Sequence, residues 1–169
     1  MDNEELRSLL DAMRSGDENA FPILYHGIKT PVYTVIRRIT GSRETAEDVM
    51  QTLFLKLCQS SPGPEIRLPR AWIMTMARNL ALDALRRPAA APLPEELAAP
   101  DPLPEDRLDL ERALAQLEET ERSVLTLHLS AGLPFREAAG VLGLSLPAAY
   151  RRYQRALQRL RALLEEEDP

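Results

Sequence analysis

Six prolines, at positions 88, 92, 94, 100, 102 and 104, crowd one short stretch of this chain. A proline lacks the N–H that a helix or central strand requires, and its ring clashes with the preceding turn. No regular element passes through such a run. Glu95, Glu96, Asp101, Glu105 and Asp106 make the same stretch acidic, and the composition reads as an extended linker. The alternative is a long surface loop inside one domain, but structureless stretches of this length are uncommon in compact domains. The 169 residues therefore divide into an N-terminal domain (1–87), a flexible Pro-rich linker (88–107) and a C-terminal domain (108–169).

Both flanking segments read as helical. Leu, Ala, Arg and Glu dominate, β-branched runs are nearly absent, and no strand pattern or internal repeat occurs. The spacing predicts helices over 3–15, over 17–41 with punctuation at Gly27 and Pro31, from Ser42 or Arg43 to the breaker 60–64, and from Pro69 to Arg87. Beyond the linker it predicts helices over 109–117 and 121–130. A short helix follows Pro134, then the break Gly143-Leu144-Ser145, then a long helix to Arg161 and beyond. The expected fold is all-α: two small helical domains, a four-helix bundle and a helix-turn-helix.

The last pair of helices carries the strongest chemical signal. Leu146, Ala149, Tyr153, Ala156, Leu157 and Leu160 form one apolar stripe, expected to be buried. Ala148, Arg152, Arg155 and Arg159 lie on the opposite side with Arg151 beside them, and no acid occurs from Ser145 until Glu165. A short helix, a tight turn and a basic second helix make the geometry that fits a DNA major groove. Exposed helix arginines are also ordinary solvated surface, so this segment alone leaves both readings open.

The net charge of −5 is unevenly spread. Residues 89–122 hold three Arg and ten acids, whereas 145–161 hold five Arg and no acid, and 67–87 five Arg against Asp83 alone. Overall acidity therefore leaves local nucleic-acid binding possible and predicts that the free chain binds DNA poorly. No apolar run approaches the ~20 residues of a membrane span and no signal peptide opens the chain, so a cytoplasmic protein without membrane insertion is expected. The single cysteine, Cys58, sits in the apolar pattern LFLKLC and is expected as a small buried residue. His26 and His128 have no ligand-spaced partners, and no catalytic constellation appears. Neither metal, cofactor nor enzymatic activity is expected.

Three segments resemble a known family. Ala20-Phe21, Leu24-Tyr25, Val32-Tyr33 and Arg37-Arg38-Ile39-Thr40-Gly41, then Ala46-Glu47-Asp48-Val49-Met50-Gln51 with Phe54-Leu55 and Leu57, are similar to region 2 of extracytoplasmic-function (ECF) sigma factors of the sigma-70 family. So is Ala71-Trp72-Ile73 with Ala77-Arg78-Asn79-Leu80-Ala81-Leu82-Asp83 and Leu85-Arg86-Arg87. Ala113-Leu114, Leu117, Glu121-Arg122 and Val124-Leu125, followed by the helix-turn-helix, resemble region 4.

The resemblance implies an alternative sigma factor. Such a protein binds core RNA polymerase at its clamp and flap regions and directs initiation at particular promoters. It also implies an anti-sigma factor as a further partner. By the resemblance, Glu47, Asp48, Gln51, Phe54 and Leu55 meet the polymerase. Arg67, Arg70, Arg78, Asn79, Asp83, Arg86 and Arg87 serve the −10 element and strand opening. Ala148, Tyr150, Arg151, Arg152, Arg155 and Arg159 serve the −35 element. The loop 60–68 matches the one that receives an unstacked base, yet it holds no aromatic side chain, and nearby Trp72 is expected in the core.

The family commonly shows Gly-Thr-Val-Lys-Ser-Arg where this chain has Pro147-Ala148-Ala149-Tyr150-Arg151-Arg152. That change removes a hydroxyl and moves a charge by one position, so an altered −35 sequence is expected. Two rival functions fit the same residues: a stand-alone helix-turn-helix regulator, and a degenerate sigma-like interaction protein.

Overall fold

The computed structural model describes residues 1–59, 66–87 and 105–166. Helix α1 (Asn3–Arg14) opens on a reciprocal cap. The Asp2 carboxylate accepts from the Glu4 and Glu5 N–H groups at 2.9 and 2.8 Å, and the Asp2 N–H donates to Glu5 at 2.8 Å. Helix α2 (Ala20–Thr40) is continuous, against the expectation of punctuation at Gly27 and Pro31. The ring of Pro31 removes one N–H, whose acceptor would be the carbonyl of Gly27. Leu24 and Ile28 before it, and Val32, Val35 and Ile36 after it, are all buried in the same core, so packing holds both halves of the helix in line. A Cβ at Gly27 would meet the tip of the flexible Met1 side chain, which would have to shift.

Helix α3 (Arg43–Gln59) begins after Ser42, whose hydroxyl accepts from the Thr45 N–H at 3.3 Å. Helix α4 (Pro69–Arg86) starts with proline at a position that needs no N–H. These four helices form the expected bundle around Leu6, Leu24, Ile36, Leu53, Leu57 and Ile73, all at 2% exposure or less. Trp72 packs half-buried against this core. Cys58, in contrast, is exposed, correcting the sequence expectation. One residue is about 100° of helix rotation, and the buried face passes through Leu57, leaving Cys58 on the outside.

Helix α5 (Glu105–Ala115) starts directly after Pro104, inside the stretch expected as linker. Helix α6 (Glu119–Leu125) runs into a π-helical turn, Thr126–Ser130, closed by the Ala131 N–H donating to the Thr126 carbonyl at 3.0 Å. Helices α7 (Phe135–Leu142) and α8 (Leu146–Glu166) complete the chain.

The C-terminal half lies against α2 and α4. Leu127, Leu133 and Ala138 join the same buried cluster as the bundle, while Leu114, Leu117, Leu125 and Ala156 form a second cluster among α5, α6 and α8. Among the described residues there is no strand, and no helix is long and apolar enough to cross a membrane.

Candidate nucleic-acid interface

The turn between α7 and α8 is set by backbone chemistry. Gly143 has φ +65°, a left-handed conformation that costs a side-chain-bearing residue about 1–2 kcal/mol. Its N–H donates to the Gly140 carbonyl at 3.3 Å, and that of Leu144 to the Ala139 carbonyl at 2.9 Å, which satisfies the carbonyls left over at the end of α7. Ser145 then caps α8, its hydroxyl accepting from the Ala148 N–H at 3.3 Å. Phe135 of α7 braces the start of α8. It contacts Tyr150 and Tyr153 edge-on at 5.6 and 4.9 Å, and His128 stacks on it at 4.0 Å.

Along α8, Ala149 and Ala156 are buried and Tyr153, Leu157 and Leu160 are partly buried, as the stripe requires. Leu146 is 45% exposed, contrary to expectation. Helical side chains lean toward the N-terminus, so the first residue extends off the end of the helix. The polar side divides in two. Tyr150, Arg151 and Gln154 face outward, and Ala148 is partly covered. Arg152 donates to Glu118 at 3.1 and 3.3 Å, and Arg159 to the buried Glu121 at 3.1 Å, with the Arg155 Nε 3.9 Å from the same carboxylate. The sequence does not foretell that Glu118, just ahead of α6, and Glu121, in its first turn, meet the basic helix. Their spacing of three residues, Glu118 and Glu121, was the available signal.

The residues assigned to −10 contact also divide. Asn79, Asp83, Arg86 and Arg87 are exposed, and at steps of three and four they share one face of α4 and its end. Arg78 instead turns toward Glu119 at 3.6 Å. Arg70 donates to the Gly132 carbonyl at 3.2 Å and to the Met1 carbonyl. Arg67 is exposed. Residues 60–65 of the base-receiving loop lie outside the described residues.

Between α2 and α3 runs a groove with a cavity volume of about 660 Å³. Glu47, Gln51, Phe54 and Leu55 line it, whereas Asp48 lies exposed nearby and is not part of the lining. Leu55 is 55% exposed, while Phe54 is buried at 6% and forms part of the floor, tilted on Tyr25 at 4.7 Å and edge-on to Phe21 at 6.1 Å. The Lys29 ammonium lies 5.7 Å from the Tyr25 ring centre. Phe21, Tyr25, Lys29 and Tyr33 were missed as site residues. Their four-residue spacing along α2 was the signal that would have found them.

Comparison with known proteins gives these surfaces a context. The family model for Sigma-70 region 2 matches residues 24–90, and that for Sigma-70, region 4 matches residues 107–160. The chain is 32% identical over 170 residues to RNA polymerase sigma factor CarQ of Myxococcus xanthus, covering 93% of this chain and 96% of that protein. It is 31% identical over 175 residues to ECF RNA polymerase sigma factor RpoE of Cereibacter sphaeroides, covering 95% of each. The structure of CnrH in complex with the cytosolic domain of CnrY matches with TM-score 0.72 at 27% identity, covering 97% of this chain and 99% of that one. The chain belongs to the ECF sigma factors of the sigma-70 family. Its function is to bind core RNA polymerase and direct transcription initiation at promoters.

Proposed function

We propose how its surfaces share that work. The α2–α3 groove receives a helix of the polymerase clamp. Its aromatic floor supplies apolar area, and Glu47 and Gln51 on the rim fix orientation, the pattern of helix-in-groove recognition. The exposed face of α4, with Asn79, Arg86 and Arg87, engages the −10 element, where Asn and Arg suit both base edges and phosphate. Helix α8 enters the major groove at −35 and presents Tyr150, Arg151 and Arg155, with Arg152 and Arg159 on its flank.

Domains 1–87 and 108–169 separate on polymerase so that each reaches its own element, with the linker between them. The chain acts in the cytoplasm and performs no chemistry of its own. The likeness to CnrH, whose structure holds the cytosolic domain of CnrY, supports a protein partner, in keeping with the anti-sigma factor that the family resemblance implies. The observation that carries the reading is the basic, solvent-facing side of α8 in a chain that also bears an aromatic groove at the other end.

Run-off transcription with core polymerase and the full chain tests it. An open complex on selected genomic fragments is expected. Polymerase binding without any open complex would instead identify a degenerate interaction protein, and DNA binding without polymerase binding a stand-alone regulator. Arg151→Ala and Arg155→Ala are each expected to flatten the salt slope of promoter binding by about one unit. Unchanged slopes in both would remove α8 from the DNA.

A further inference from the structure

Among the described residues, Glu121 is the carboxylate taken wholly out of solvent, at 0% exposure. A buried carboxylate is costly unless charges and hydrogen bonds compensate it. Part of the compensation is local: Glu121 sits in the first turn of α6, where the helix dipole favours negative charge. The rest comes from α8. The Arg159 Nη1 donates to Oε2 at 3.1 Å, and the Arg155 Nε lies 3.9 Å from Oε1, which accepts no hydrogen bond.

The surrounding seam between α6 and α8 is apolar, built from Leu125, Ala156, Tyr153 and Leu157. A leucine at position 121 would close such a seam without burying a charge, and replacements of that kind are often neutral or stabilising. Simple packing therefore gives no reason for the acid. Its arginines supply one. Their side chains remain 62% and 51% exposed. A guanidinium has five donors in a rigid fork, so anchoring one edge leaves the others turned outward.

We propose that Glu121 is a positioning residue for promoter recognition. From beneath α8 its hydrogen bond holds the Arg159 fork, and its charge draws the Arg155 fork toward the same place, before DNA arrives, so less rotamer freedom is lost on binding. It also cancels one unit of positive charge, which lowers the attraction to any sequence and leaves fit to decide. The inference rests on the reading of α8 as the −35 element.

The test uses holoenzyme reconstituted from core polymerase and the full chain. Genomic fragments that it binds are selected, and one selected promoter is compared with the same fragment carrying a scrambled −35 element. In Glu121→Gln the preference for the intact element is expected to fall about tenfold, the loss that follows when two long side chains must be ordered afresh. Binding to the scrambled fragment is expected to gain about one unit of salt slope. Glu121→Leu, which keeps the seam filled, is expected to lose the same preference while retaining its unfolding temperature.

The Arg155→Ala/Arg159→Ala variant is expected to lose preference too, and adding Glu121→Gln to it to lower that preference no further. Wild-type preference in both Glu121 variants overturns the positioning role alone. So does a full additional loss on the Arg155→Ala/Arg159→Ala background, which marks a purely structural effect. A wild-type holoenzyme indifferent to scrambling, or arginine variants with undiminished preference, overturns the −35 reading of α8 and the positioning role with it.

Discussion

Arg38 shows how much one side chain carries. It projects from α2 with only 15% of its side chain exposed and donates to Thr126 at 3.2 Å, Ser130 at 2.9 Å and Glu111 at 3.0 Å. The π-helical turn sets both hydroxyls toward it. Arg38→Ala leaves these acceptors without their donor, and the expected loss is about 1–3 kcal/mol, read from urea unfolding of the full chain. A loss below ~0.5 kcal/mol would mean that water replaces the guanidinium without cost. Leu53→Ala, at 0% exposure in the bundle, is expected to cost more, about 2–5 kcal/mol in the same measurement. The apolar pattern made Leu53 legible from sequence, because periodicity reports burial directly. Nothing in the pattern paired Arg38 with Thr126 and Ser130, because those contacts depend on how two distant helices meet. Cys58 was misjudged at this scale, where one step along α3 separates inside from outside.

At the scale of elements, helix type and order were readable and boundaries less so. Ser42 and Ser145, with the glycines Gly41 and Gly143, marked ends because their side chains or backbone freedom supply what a helix terminus lacks, whereas the cap at Asp2 emerged only in the structure. Pro31 misled because its local cost is outweighed by the burial of α2 on both sides of it. The merger of α6 with the π-helical turn was visible only as one helix, since a single extra residue per turn leaves no compositional trace. Gly143→Ala isolates one such signal. No atom lies within 4 Å of the place its Cβ would occupy, so only the left-handed backbone opposes it. The expected cost is about 1–2 kcal/mol, with the urea dependence of unfolding unchanged. An equal or higher stability would show that the turn relaxes to another conformation.

At the scale of the molecule, the two ends of the chain share one apolar cluster, and the seam between them carries Arg38–Glu111, Arg78–Glu119 and Arg70 with the Gly132 carbonyl. The sequence shows the acids of 105–121 and the arginines of α4, but not that they meet, because contacts between residues so far apart along the chain leave no local pattern. The two-element promoter contact proposed above, each element met by its own half of the chain, parts this seam. Combining Arg38→Ala with Glu119→Ala is therefore expected to raise the radius of gyration of the free chain in small-angle X-ray scattering and to speed its capture by core polymerase. An unchanged radius would show that the apolar cluster alone holds the seam. The exposed Cys58 has a practical corollary. It is the only sulfhydryl in the chain and lies one helical turn beyond Phe54 and Leu55, on the side of α3 that borders the aromatic groove. A maleimide fluorophore attached there labels every molecule once, leaves the interior untouched, and sits where docking at that groove would change its emission.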